Sequence, residues 1–195
     1  MHNLDTLETP HEVDLLVVFS DISGFHRAVR KRNPQQFFNL LSGYYELFGD
    51  IIEGAGGKVI KFIGDSTLFV FSADQVDIGV RTIKELQEAG NAWLHDSGMS
   101  CGHYFKAHFG PVMAGPVGTR ADKRLDVFGE TVNIAAMLRA SGIALTPQVF
   151  RKLEPETRKL FKKHTPPVTY IPVEERHEYG ASADGKNRLR LYPFS

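Results

Sequence analysis

The sequence predicts an α+β fold, an α/β sandwich whose mostly antiparallel sheet carries helices on one face around a ferredoxin-like βαββαβ core. Three observations carry that expectation. Apolar runs with strand character alternate with stretches of helical period. A short turn joins two of the strand runs, so hairpins interrupt the alternation. Hydrophobic residues make up 42% and charged residues 24% of the 195, an ordinary globular composition that is rich enough for a core.

Residues 13–20 (VDLLVVFS) are apolar and β-branched almost throughout and read as a buried strand, with Asp21 following at its end. Asn33 and Pro34 supply an N-cap and a first-turn proline. Phe37, Leu40, Leu41, Tyr44, Phe48, Ile51 and Ile52 then recur at helical spacing, and Gly54, Gly56 and Gly57 stop the helix. Strands at 58–63 and 67–72 flank Gly64-Asp65-Ser66, a hairpin signal. A second helix fits 75–94, with Val76, Val80, Ile83, Leu86 and Trp93 on one stripe. Gly110-Pro111 divides 100–109 from 111–117, which reads as another strand pair. A strand at 124–128 leads into a helix at 130–141, and 147–162 reads as a last short helix. The polar segment 174–187 is expected to be a loop before a closing strand, NRLRLYPF. No repeat or linker divides the chain, so residues 1–195 are expected to form one domain, with a core at about 13–142 extended by 143–195.

Composition narrows the partners. Lys+Arg and Asp+Glu are both 23, so the basic excess of a nucleic-acid binder is missing. Apolar runs such as 15–19 are far shorter than the ~20 residues of a membrane span, and the N-terminal stretch lacks the layout of a signal peptide. A single cysteine, Cys101, fits a reducing compartment. A cytoplasmic location is therefore expected, with no membrane and no nucleic acid as partner.

Two carboxylates attract attention. Asp21 ends a buried strand and Asp65 lies in a hairpin turn, and neighbouring strand ends can bring them together. Paired carboxylates suit Mg²⁺, and two such ions can clamp both oxygens of a phosphoryl displacement. Spacing alone favours a plainer reading, Asp21 as a helix cap and Asp65 as a turn residue. Lys61 within VIKFI and Asp126 within LDVF are charged residues in apolar strands. They are either an ion pair or a base-reading pair, the ammonium donating to adenine N1 and the carboxylate accepting from the 6-amino group. The amides of Ser23, Gly24 and Phe25 form either an anion nest or an ordinary strand-to-helix turn. Cys101, His103 and His108 fall short of a zinc site.

Four segments occur in order: FSDISGF (19–25), GGKVIKFIGDS (56–66), HFGPVMAGPVGTR (108–120) and LDVFGETVNIAA (125–136). Together they resemble the catalytic domain of class III nucleotidyl cyclases. The resemblance implies that Asp21 and Asp65 bridge two Mg²⁺ or Mn²⁺ ions, one of which also takes the Ile22 carbonyl. It implies an adenine-selecting Lys61–Asp126 pair, and hence ATP as substrate. Asn133 would position the ribose. Arg120 would contact phosphate, with Arg124 as its stand-in, and Lys186 would bind the triphosphate. One turn after Asn133 the family places an Arg that stabilises the transition state, but here the residue is Met137, which cannot donate to phosphate. A slow adenylate cyclase is therefore expected, unless Arg27 or Arg30 fills the gap. The alternative is a weak or inactive nucleotide-binding module. The resemblance further implies an active site shared between two subunits, in a homodimer or a heterodimer with another cyclase domain.

Overall fold

A computed structural model describes residues 8–165 and 167–175. The central strand is β1 (His11–Ile22). It pairs antiparallel with β3 (Ser66–Ser72) on one side and with β4 (His103–Gly118) on the other. Outside β3 lies β2 (Lys58–Ile63), its hairpin partner. The order β2-β3-β1-β4 is that of a ferredoxin-like sheet, as expected. β5 (Lys123–Phe128) pairs antiparallel with the distal half of β4. The short β6 (Ile143–Leu145) runs parallel to its proximal half, followed outward by β8 (Thr169–Pro172) and β7 (Phe161–His164).

Strand alternation divides the core in two. Leu16 and Val18 of β1, with Phe69, Phe71, Phe105 and Ala107 from its neighbours, face α2 (Pro34–Gly54) and α3 (Val76–Asp96). Leu15 and Val17 face the other way, with Leu68, Val70, Val112 and Val127, and are covered by Ala135 of α4 (Glu130–Met137). The expectation of helices on one face therefore fails at α4. Its sequence offers only a short buried stripe, Thr131 and Ala135, which suits the smaller second core.

α2 starts as its sequence requires. Asn33 Oδ1 accepts from the Gln36 amide and Gln36 Oε1 from the Asn33 amide, a complete capping box ahead of Pro34. Three other expectations need correction. The strand pair around Gly110-Pro111 is one sixteen-residue strand. Pro111 is tolerated because it falls between the end of the β6 pairing at Ala107 and the start of the β5 pairing at Met113, where that edge needs no N–H. The helix expected at 130–141 ends at Met137, because Leu138 adopts an extended ψ of 144°. Arg139 therefore lies beyond the helix altogether. The helix expected at 147–162 is two single turns, α5 (Pro147–Phe150) and α6 (Pro155–Arg158), followed by β7. Pro155 forces Glu154 into an extended conformation and breaks the run. A five-residue helix, α1 (Phe25–Val29), had no periodic signal long enough to reveal it. Of the 174–187 loop, Glu174 pairs with Lys84 and Glu175 accepts from the Ile143 amide. Its remainder and the closing strand lie outside the described residues.

His103 and His108 are five residues apart on β4 and so face opposite sides of the sheet, which rules out a shared zinc. His103 is 2% exposed and stacks against Tyr44 and Phe48. Burial lowers its pKa to about 4, against some opposition from the Asp21 charge. Below pH 6.5 the unfolded chain therefore takes up a proton that the folded chain refuses. The stability His103 permits at neutral pH is lost between about 6.5 and 4, by about 3 kcal/mol at most. Asp65, whose pKa is raised, works in the opposite direction over a similar range. The difference between wild type and His103→Phe isolates the histidine. The variant is expected to gain relative stability as pH falls from 7 to 4 in urea unfolding, and parallel profiles would refute this account.

Candidate active site

The register of the three central strands builds the site. Ser20 of β1 sits opposite Thr67 of β3, and Asp21 opposite Tyr104 of β4. The hairpin turn preceding β3 is thereby carried to the end of β1, and Asp65 comes beside Asp21. Two tyrosines of α2 fasten the turn from above. Tyr45 donates to the Gly64 carbonyl at 2.9 Å and Tyr44 to the Asp65 carbonyl at 3.4 Å. Gly64 occupies the left-handed region, φ 61°, that the turn demands.

Asp21 is held from both sides. Its Oδ1 accepts from the Ile22 amide at 2.8 Å and its Oδ2 from the Tyr104 hydroxyl at 2.8 Å. Burial pushes the Asp65 carboxyl up to about 6, and the neighbouring Asp21 charge adds to the shift. Two half-buried carboxylates that repel each other are a donor set that a divalent cation satisfies, and all their free lone pairs are oxygen. Asp21, Asp65 and the Ile22 carbonyl thus fit Mg²⁺ or Mn²⁺. No cluster of three or more His, Cys, Asp or Glu side chains suited to a metal occurs among the described residues, so water and substrate oxygens would complete the coordination.

The turn after Asp21 differs from the three-amide nest. Ser23 N–H donates to the Gly102 carbonyl at 2.9 Å, and Ser23 Oγ accepts from the Gly102 amide at 3.3 Å. The loop before β4 therefore takes up one of the three amides, leaving those of Gly24 and Phe25 for an anion. Gly24, at φ 72°, permits the sharp entry into α1. Arg27 lines a cavity of about 280 Å³ with Ser23, Gly24 and Cys101. Arg30 caps the C-terminal end of α1 and is not in that lining.

Lys61 and Asp126 meet, Nζ to Oδ2 at 2.5 Å, with side chains 40% and 21% exposed. A β-bulge makes this possible. The register shifts between Val59 and Lys61, so Val59 packs with the α2–α3 core while Ile60 and Lys61 both turn to the other face. Without the bulge Lys61 would point toward α2. Asp126 Oδ1 also accepts from the Val127 amide. Among the described residues neither member of this pair bonds Asp21 or Asp65.

Asn133 and Met137 lie one turn apart on α4, and both are exposed, Met137 at 82%. Arg120 is exposed in the β4–β5 loop, and Arg124 is exposed and paired with Asp122 at 3.2 Å. Lys186 lies outside the described residues. Two residues of the site escaped the sequence reading, Tyr104 and Lys106. Their signal is the alternation Tyr104-x-Lys106-x-His108, a polar face on a strand, but only the register shows that this face adjoins Asp21.

Fold and site together define a ferredoxin-like α+β domain carrying a paired-carboxylate polar centre on its central strands. The profile of the adenylate and guanylate cyclase catalytic domain family matches residues 8–178, and the chain belongs to that family. Adenylate cyclase 1 of Rhizobium meliloti (strain 1021) is 28% identical over 134 residues, covering 64% of this chain and 20% of that protein. Receptor-type guanylate cyclase Gyc76C of Drosophila melanogaster is 30% identical over 161 residues, 77% of this chain and 10% of that protein. The chain thus spans a fifth or less of the length of these two curated relatives. A solved bacterial light-regulated adenylyl cyclase superposes with a TM-score of 0.69 at 25% identity, over 91% of this chain and 56% of the other. No helix among the described residues is long and apolar enough to cross a membrane.

Proposed function

We propose that this domain converts ATP into 3′,5′-cyclic AMP and pyrophosphate. The observation that carries the reading is the convergence of Asp21 and Asp65 at the end of the central strand. In the reaction the ribose 3′-oxygen attacks the α-phosphorus, the bond to the bridging oxygen of the β-phosphate breaks, and pyrophosphate leaves with that electron pair. Divalent cations at Asp21, Asp65 and the Ile22 carbonyl would acidify the hydroxyl and neutralise the leaving group. The chain's own residues hold and orient. Tyr104 and the Ile22 amide fix the Asp21 carboxylate, the amides of Gly24 and Phe25 receive phosphate oxygens, and Asn133 positions the ribose. Lys61 and Asp126 read the adenine edge. The ion pair joining them presents a donor and an acceptor on one half-exposed surface, the polarity that adenine requires and guanine reverses.

Among the described residues no hydrogen bond or ion pair joins Asp21 or Asp65 to Lys61 or Asp126, and Asn133 and Met137 are exposed. This supports a site completed by a second domain, in a homodimer or with another cyclase domain. At Met137 no group can donate to the α-phosphate, so turnover is expected to be slow. The reading is tested by incubating the purified chain with each of the four ribonucleoside triphosphates and Mn²⁺ and identifying products by chromatography. Cyclic AMP is expected. Binding of ATP without any cyclic product would instead establish a nucleotide-binding module, the reading that Met137 favours. Lys61→Glu is expected to lower the ATP-over-GTP preference in kcat/KM by about 10²-fold or more, since unpaired polar groups then face adenine. An unchanged preference would remove Lys61 from base selection.

A further inference from the structure

Lys106 is two residue pairs further along the β1–β4 ladder than Asp21 and Tyr104, opposite Phe19. Alternation puts its side chain on the same face as Asp21. The ammonium reaches back along the strand. It lies 5.6 Å from the centroid of the Tyr104 ring, whose hydroxyl bonds Asp21, and donates to the Ala136 carbonyl at 3.0 Å. Burial lowers the Lys106 pKa, and the Asp21 charge opposes that shift without cancelling it. No carboxylate among the described residues lies within ion-pair distance of its Nζ. A partly desolvated ammonium without a counter-ion is costly, and an anion arriving beside it offsets that cost. Arg120 stands in an exposed loop and Arg124 is exposed on β5, whereas Lys106 is fixed on the central sheet beside the carboxylate centre.

We propose that Lys106 is a binding residue for the nucleotide, its ammonium holding non-bridging oxygens of the triphosphate at the Asp21–Asp65 centre. The inference rests on the reading of that centre as a nucleoside triphosphate site. One of the three N–H donors of Lys106 is committed to Ala136, which aims the others and keeps the side chain from swinging into solvent. The competing role is purely structural, a cation stabilising the C-terminal end of α4.

The variant that separates the two is Lys106→Gln, which can keep a hydrogen bond to Ala136 but loses the charge. Titration calorimetry of the full chain with Mn²⁺ would compare a non-cyclisable ATP analogue, α,β-methylene ATP, with AMP, alongside thermal unfolding. Lys106→Gln is expected to weaken the analogue by about tenfold or more, the worth of a charge-assisted hydrogen bond. AMP binding should be unchanged, and Lys106→Arg should restore most of the loss. Equal analogue affinity in wild type and Lys106→Gln would overturn the proposal. So would an equal loss for both nucleotides with a lowered melting temperature, the mark of a structural role. Failure of the wild type to bind the analogue at all would overturn the nucleotide reading itself, a result distinct from either.

Discussion

Replacing Met137 by Arg is expected to raise kcat of the purified chain with ATP and Mn²⁺ by about 10²–10³-fold, the usual worth of one preorganised donor to a developing oxyanion. Met137 is 82% exposed and ends α4, one turn beyond Asn133 on the same face. Its side chain anchors nothing in the core, so the substitution should change stability by no more than about 0.5 kcal/mol. An Arg there projects outward with Asn133, toward the carboxylate centre of the adjoining domain in the proposed assembly. Arg139 cannot fill this role, because the chain leaves the helix at Leu138 before reaching it. KM should move little, since the guanidinium acts on charge that grows only in the transition state. A folded Met137→Arg no faster than wild type would show that the missing cation is already supplied. Arg27, in the cavity beside Gly24, would then be the first candidate.

The opposite extreme is expected at the carboxylates. Asp21→Asn and Asp65→Asn should each lower kcat/KM by more than about 10³-fold, because a lost cation ligand removes several kcal/mol of transition-state stabilisation. Asn at position 21 can keep its oxygen on the Ile22 amide and turn its NH2 to donate to the Tyr104 hydroxyl oxygen, so the loss reports charge rather than collapse. Stability should move the other way at Asp65. Its raised pKa records a cost, in burial and in repulsion from Asp21, that the neutral amide does not bear. Asp65→Asn is therefore expected to melt no lower than wild type without metal, and higher at neutral pH than at pH 5 relative to it. Full activity in either variant would remove the pair from the chemistry.

Much of this was written in the chain order. The N-cap at Asn33 and the turn at Gly64-Asp65 are local, set by hydrogen bonds between near neighbours, and both formed as read. The apolar alternation of 13–20 fixes a buried strand with Asp21 beyond it. Polar residues inside apolar strands marked Lys61 and Asp126, since a charge there must find a partner. What escaped the reading is non-local. Pro111 looks like a break until the gap between β5 and β6 is known. Pro155 lies inside 147–162, which reads as one helix, and it splits that stretch into two turns.

The sequence by itself determined the ferredoxin-like order, the two aspartates, the charged pair and the absence of an Arg at 137, all properties of residue type, period and local turn chemistry. The tertiary structure decided which way the site's side chains point. Only the bulge before Lys61 turns that ammonium from the helices to Asp126. Only the loop at Gly102 takes up the Ser23 amide in the turn after Asp21. Only the β1–β4 register sets Tyr104 against Asp21 and Lys106 beside them. The reason is the strand period of two: a shift of one residue sends a side chain to the opposite face, and register is a contact between segments distant in sequence.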